Sequence, residues 1–176
     1  MRKSILTILL VAICILGYTQ KGTVLLNGNL FLNSHDYYGS KATSFSIKPG
    51  IGYQVADKWT LGLNLGFERT ALVADPNRYS FGPYVRYTKQ INELISVYGQ
   101  LQTSFGRGDS ARYFSLTIFP AIEFNLGKGF ALNLNLVALN YEYTKFGKRS
   151  GSYSLFHTNI GGSGGFGISK RFGTKK

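Results

Sequence analysis

Trp59-Thr60-Leu61-Gly62-Leu63-Asn64-Leu65-Gly66-Phe67-Glu68 alternates without a break between bulky apolar and small or polar side chains. A period of two puts successive side chains on opposite faces of an extended strand, so one face of this segment is wholly apolar. The other face carries Thr, Gly, Asn, Gly and Glu. In a soluble sandwich that second face would be solvated and heavily charged. Small, weakly polar groups instead suit the filled interior of a narrow barrel, which leaves the bulky row for lipid. A tilted strand of about 9–11 residues crosses the apolar layer.

The same alternation recurs along the chain in eight candidate strands, at 23–33, 43–55, 59–69, 78–88, 95–106, 113–125, 130–142 and 154–172. Each is bounded by turn signals. The expected fold is all-β, an eight-stranded antiparallel up-and-down transmembrane β-barrel preceded by a cleavable signal peptide. Ala56-Asp57-Lys58 and Gly127-Lys128-Gly129 read as tight turns, and Lys89 to Leu94 as a short one. The other connections, near 34–42, 70–77, 107–112 and 143–153, read as longer, polar and basic loops. Short turns on one side and long loops on the other are how transmembrane barrels are built, with the short side periplasmic. Eight strands then place both termini in the periplasm and the loops outside the cell.

Composition agrees. The 176 residues suffice for one domain, with 22 glycines, 15% aromatics and only 16% charged residues, below the quarter usual in soluble domains. Arg2 and Lys3 precede an apolar run from Ile5 to Leu16, too short to span a bilayer and right for a secretory signal. The expected division is a signal peptide over 1–19, cut between Thr19 and Gln20, and an outer-membrane barrel domain over 20–176. Cys14, the single cysteine, lies in that run behind Ile13, where a lipoprotein signal needs a small residue. The processed chain therefore has no thiol for a disulfide or a nucleophile. The formal charge of +12 falls by two when Arg2 and Lys3 leave. Such basicity in a secreted chain without aromatic–basic stacking motifs points to anionic lipid or polysaccharide, with no nucleic acid as partner.

Pro49-Gly50-Ile51-Gly52-Tyr53, Pro83-Tyr84-Val85-Arg86-Tyr87 and Pro120-Ala121-Ile122-Glu123-Phe124 form a weak repeat, each just before a short turn. Their aromatics should share one membrane height as an interfacial girdle, completed by Trp59 and Phe130. Proline removes a ladder donor, so the three prolines read as bulge sites.

In these repeats, the signal and the terminal strand Phe166-Gly167-Ile168-Ser169-Lys170-Arg171-Phe172, the chain resembles the small outer-membrane β-barrel domain family, the OmpX/OmpA-transmembrane-like group in its Bacteroidota form. The resemblance implies Gram-negative outer-membrane location, with Phe172 as the closing aromatic read by the barrel-insertion machinery. It implies structural roles, and adhesive or defensive ones in some members. Two departures are Lys170, at a position usually apolar, and the four residues Gly173 to Lys176 beyond the aromatic.

The inward face should hold Lys48, Glu68, Arg86, Glu123 and Arg171. Arg86, Glu123 and Arg171 each sit one residue before a girdle aromatic, so they are expected to form a lumenal charge cluster, a structural plug in preference to a gated ion path. Arg107-Gly108-Asp109 is a weak adhesion candidate on the third long loop. His157 with a lumenal serine such as Ser115 could serve a hydrolase only with an acid beside them. His35 with Asp36 would need further ligands to hold a metal. No catalytic, cofactor or metal site is assigned. Tyr37, Tyr38, Tyr143, Phe146 and Tyr153, with Lys41, Arg78, Arg112, Lys145, Lys148 and Arg149, should form a basic aromatic rim meeting lipopolysaccharide or an extracellular ligand. The leading expectation is a non-enzymatic outer-membrane barrel with a side-chain-filled lumen and a structural or surface-interaction role. The alternatives are an outer-membrane lipid-modifying enzyme and a secreted lipocalin-like barrel holding an apolar ligand.

Overall fold

A computed structural model of the chain describes residues 22–37, 40–70, 77–108, 111–146, 152–160 and 165–173; the expected signal peptide lies outside them. Ten strand segments follow one another: β1 (Val24–Tyr37), β2 (Ser40–Ala56), β3 (Trp59–Thr70), β4 (Asn77–Gln90), β5 (Ile95–Gly108), β6 (Ala111–Gly127), β7 (Phe130–Asn135), β8 (Val137–Phe146), β9 (Ser152–Ile160) and β10 (Phe166–Phe172). They make eight staves, because β7 and β8 both pair with β6 as one interrupted strand, and β9 and β10 share the final stave. All ladders are antiparallel. The sheet closes where β1 pairs with β10, β10 with β7, and β7 with β6.

The alternation in β3 decides which way the wall faces. Leu61, Leu63 and Leu65 point outward, the last two 56% and 62% exposed, while Thr60 is buried inside with Gly62, Asn64 and Gly66 on its face. Leu30, Ile51, Leu101, Ile118 and Ile168 continue the outward apolar belt around the barrel. A calyx for an apolar ligand needs these side chains inside, so the lipocalin-like alternative is overturned. Eight strands enclose an interior only wide enough for side chains. No helix among the described residues is long and apolar enough to cross a membrane.

Aromatic side chains mark both edges of the belt. At the end with the short turns stand Tyr53, Trp59, Tyr87, Phe130 and Phe172, all exposed. Trp59 and Tyr87 are cross-strand partners whose rings meet edge to face, 5.0 Å between centroids. A second band at the opposite end, where the Phe67 ring meets Tyr79 and the Phe105 ring meets both Phe81 and Phe114, was not foreseen from the sequence. Tyr79 and Tyr87 lie on one strand, about 26 Å apart at about 3.3 Å per residue. A tilt of about 40° reduces that to roughly 20 Å in height, close to a thin apolar layer.

Two expectations about the chain path are corrected. The ladder of β1 and β2 runs to Tyr37 opposite Ser40, and that of β5 and β6 to Arg107 opposite Arg112, so 34–42 and 107–112 are mostly strand. Beyond the apolar layer both faces of a strand turn polar, and the alternation vanishes although the ladder continues. The prolines differ too. The β2–β3 ladder skips Lys48 and Pro49, and the β4–β5 ladder skips Gly82 and Pro83, with the register unchanged on either side. Neither is a bulge. All three prolines face outward, and the carbonyls of two turn to the next strand: Thr103 Oγ1 donates to the Pro83 oxygen at 3.4 Å, and the Leu136 N–H to that of Pro120 at 3.1 Å. Only at Pro120 does the partner strand break, at Leu136 between β7 and β8, where the register steps by one residue. The Gly127-Lys128-Gly129 turn needs left-handed backbone at all three positions, φ +89°, +50° and +79°, which glycine adopts at no steric cost.

Candidate functional site

The lumen holds two layers of charge. Towards the short-turn end, Glu123 of β6 is fully buried and Arg86 of β4 is 1% exposed. Arg171 of β10 donates from Nη2 to Glu123 Oε1 at 2.5 Å, and Ser169 Oγ lies 3.5 Å from Oε2. Arg86 does not reach the carboxylate. Its Nε donates to Gln100 Oε1 at 2.8 Å, and its guanidinium covers the Tyr98 ring at 4.1 Å. The expected three-membered bridge is thus one ion pair beside one stacked cation, with Tyr98 in electrostatic reach of all three charges. Gln100 and Asn64 both donate to Gln102 Oε1, and the Tyr84 hydroxyl donates to Asn27 Oδ1 at 3.2 Å. Polar contacts therefore link Arg86 to Asn64 along the inner face of β3, β4 and β5. The sequence signalled Arg86 and Glu123, but not the Tyr84, Tyr98 and glutamine side chains that share the interior with them.

Nearer the other end, Arg78 Nη2 lies 2.8 Å from Glu142 Oε1, which also accepts from Thr144 Oγ1 at 2.9 Å. The Arg78 guanidinium rests over the Tyr113 ring at 3.8 Å. Lys48 is in electrostatic reach of Glu68, Arg78 and Glu142. Among the described residues two cations face two carboxylates, so their formal charges cancel. Arg78 was expected on the outer rim; it turns inward because even-numbered positions of β4 face the lumen, as Tyr84 and Arg86 do. That parity was readable, but the segment looked like a loop edge. Glu142 was missed for the same reason.

The remaining candidates scatter. Arg107 and Gly108 belong to β5, with Arg107 opposite Arg112 on the outer wall, while Asp109 lies outside the described residues. Two of the tripeptide's three residues are therefore strand. Arg112, Tyr143 and Lys145 are strand residues facing outward. Tyr38, Lys148 and Arg149 lie outside the described residues, as do the side chains of His35, Asp36, Tyr37, Lys41, Tyr153 and His157. By register His157 pairs with Asn140 and Ser115 with Glu142, two strands apart. No group of three or more His, Cys, Asp or Glu among the described residues is placed to hold a metal.

The terminal strand accommodates its unusual lysine. Lys170 faces outward, and its Nζ sits 3.6 Å from the Phe130 ring centroid while donating to the Lys128 carbonyl at 2.7 Å. The aliphatic stem covers apolar wall and the ammonium reaches the polar turn, as snorkelling requires.

No protein-family model and no curated protein sequence matches the chain. Solved structures do. The Neisserial surface protein A, NspA, is similar over 86% of this chain and 97% of its own, with a TM-score of 0.54 at 14% identity. The outer membrane protein OprG from Pseudomonas aeruginosa matches over 90% and 99% with a TM-score of 0.51 at 11% identity. A de novo designed transmembrane β-barrel matches over 88% and 98% with a TM-score of 0.51 at 12% identity. Identities this low speak for architecture alone, and that architecture is the one the outward leucines require: the chain has the fold of the small eight-stranded transmembrane β-barrels.

Proposed function

We propose that this chain is a Gram-negative outer-membrane protein that works through its outside, with a closed lumen, no catalytic step of its own and a structural or surface-interaction role. One observation carries the reading: Tyr84, Arg86, Gln100 and Glu123 are each at most 2% exposed inside the barrel. Side chains that exclude solvent so completely, in an interior this narrow, leave no aqueous path. The orientation follows from secretion. Both ends of the barrel chain lie at the short-turn end, which becomes periplasmic, and the tips between β1 and β2, β3 and β4, β5 and β6, and β8 and β9 face outward from the cell. Phe172 closes β10 as the aromatic offered to the insertion machinery.

The test is electrical. The purified barrel, reconstituted in planar bilayers at low protein density, is expected to give no unitary current steps above the lipid baseline. Steps that persist after refolding, and that change when Arg86→Ala is introduced, would show an open path and sink the closed-lumen reading. Fractionation checks the location: the chain should be recovered with detergent-extracted envelope and should shift on electrophoresis after boiling.

A further inference from the structure

Arg107 of β5, Arg112 of β6 and Lys145 of β8 lie in one register row on three adjacent strands, Arg107 opposite Arg112 and Arg112 opposite Lys145. All three face outward and are exposed. One row closer to the membrane centre, Phe105, Phe114 and Tyr143 are paired across the same strands. Cations therefore stand on an aromatic shelf at the edge of the apolar belt, on the end opposite the short turns. Like charges placed directly opposite each other on neighbouring strands repel. Among the described residues none of the three has an ion pair or hydrogen bond to offset this. The described acids are elsewhere, with Glu68, Glu123 and Glu142 turned into the lumen and Asp57 and Glu93 in the turns of the far end.

We infer that this row is a binding site on the barrel wall for the phosphorylated sugar headgroup of an outer-leaflet glycolipid. Strands are spaced about 4.8 Å apart, so the three cations span roughly 10 Å. A single lipid phosphate matches one arginine fork. Three cations along such a width call for two anionic groups held apart on one headgroup. Phe105, Phe114 and Tyr143 meet the acyl chains and the sugar face directly below. The inference rests on the membrane orientation proposed above.

The test uses the full barrel in phosphatidylcholine nanodiscs doped with bis-phosphorylated lipid A, with its dephosphorylated form, or with phosphatidylglycerol, and native mass spectrometry of the lipid retained. The expected result is retention of the bis-phosphorylated lipid alone, weakened at least tenfold in Arg107→Gln/Arg112→Gln/Lys145→Gln. A variant of equal charge change at the other end, Lys58→Gln/Lys89→Gln/Lys128→Gln, should keep it. Equal loss in both variants, or equal retention of phosphatidylglycerol, would mean general attraction of anions and overturn the site. Retention unchanged in the first variant would overturn it too. Heat-modifiability of each variant separates these outcomes from failure to insert: a barrel that never enters the bilayer sinks the membrane reading itself.

Discussion

Arg171 and Glu123 are joined at 2.5 Å across 48 positions of sequence, and they are not buried alike: the carboxylate is fully removed from solvent, whereas the Arg171 side chain keeps 23% exposure. Losing the arginine leaves a buried anion with only the distant Ser169 hydroxyl. Losing the glutamate leaves a cation that can still find water. Stranding the buried partner of such a pair costs about 3–5 kcal/mol, so Arg171→Ala should lose that much stability. Glu123→Ala should lose about 1–3 kcal/mol, because Arg171 rehydrates. Urea unfolding in lipid vesicles measures both. The opposite order of costs would refute the asymmetry.

Lys170 should tolerate an apolar replacement and reject an acidic one. Its ammonium lies over Phe130 and bonds to the Lys128 carbonyl, an arrangement worth about 1 kcal/mol at a wet edge. Leucine would lose that and gain burial in lipid, for a net change below about 1 kcal/mol. A glutamate would set its charge against the ring face and the carbonyl together, costing about 2 kcal/mol or more. The fraction refolded into vesicles, read by gel mobility without boiling, should stay near the parent for Lys170→Leu and drop for Lys170→Glu.

The architecture was legible wherever one face meets hydrocarbon. Leu61, Leu63 and Leu65 had to alternate with small residues, and the tight turns at Asp57 and Lys128 declared themselves by composition. Legibility failed outside that layer. His35 and Arg107 sit in strands whose two faces are both polar, so nothing in a two-residue period separated them from loop. The interior was legible by parity, which placed Arg86 and Glu123 inside. It was blind to partners, because whether Arg86 meets Glu123 or Gln100 depends on rotamers and barrel tilt, neither of which leaves a trace in spacing. Pro49 and Pro83 misled for a related reason: a missing donor predicts a disrupted ladder, but an outward-facing proline can interrupt two pairs and keep the register.

Tyr84 lies over a glycine floor. Gly52, Gly62 and Tyr84 are successive partners across β2, β3 and β4, and a methyl group at Gly52 would meet the Tyr84 hydroxyl and Thr60 Cγ2. Gly52→Ala should therefore destabilise by about 1–3 kcal/mol through overpacking. Tyr84→Phe alone should cost about 1 kcal/mol, from the hydroxyl's bond to Asn27. Combined, the two should cost less than their sum by at least about 0.5 kcal/mol, since the phenylalanine lacks the atom that the new methyl strikes. Additive costs would mean that Tyr84 does not rest on Gly52.

Trp59 is the single tryptophan of the chain, exposed on the outer wall at the short-turn edge of the belt, and its ring contacts Tyr87 edge to face. An indole at that depth keeps its ring among acyl chains and its N–H at the headgroups. Its fluorescence should shift to the blue on insertion, compared with the urea-unfolded chain. Phosphatidylcholines brominated close to the headgroup should quench it more than those brominated near the acyl terminus. Leu63→Trp in a Trp59→Phe background, further up the same outward row, should reverse that order, because its side chain points into the middle of the hydrocarbon. Quenching of neither indole by any brominated lipid would place the row of leucines away from the bilayer. The two depths together bear on height as well as facing, since only a strand that crosses the layer carries one reporter at the edge and the other near the centre.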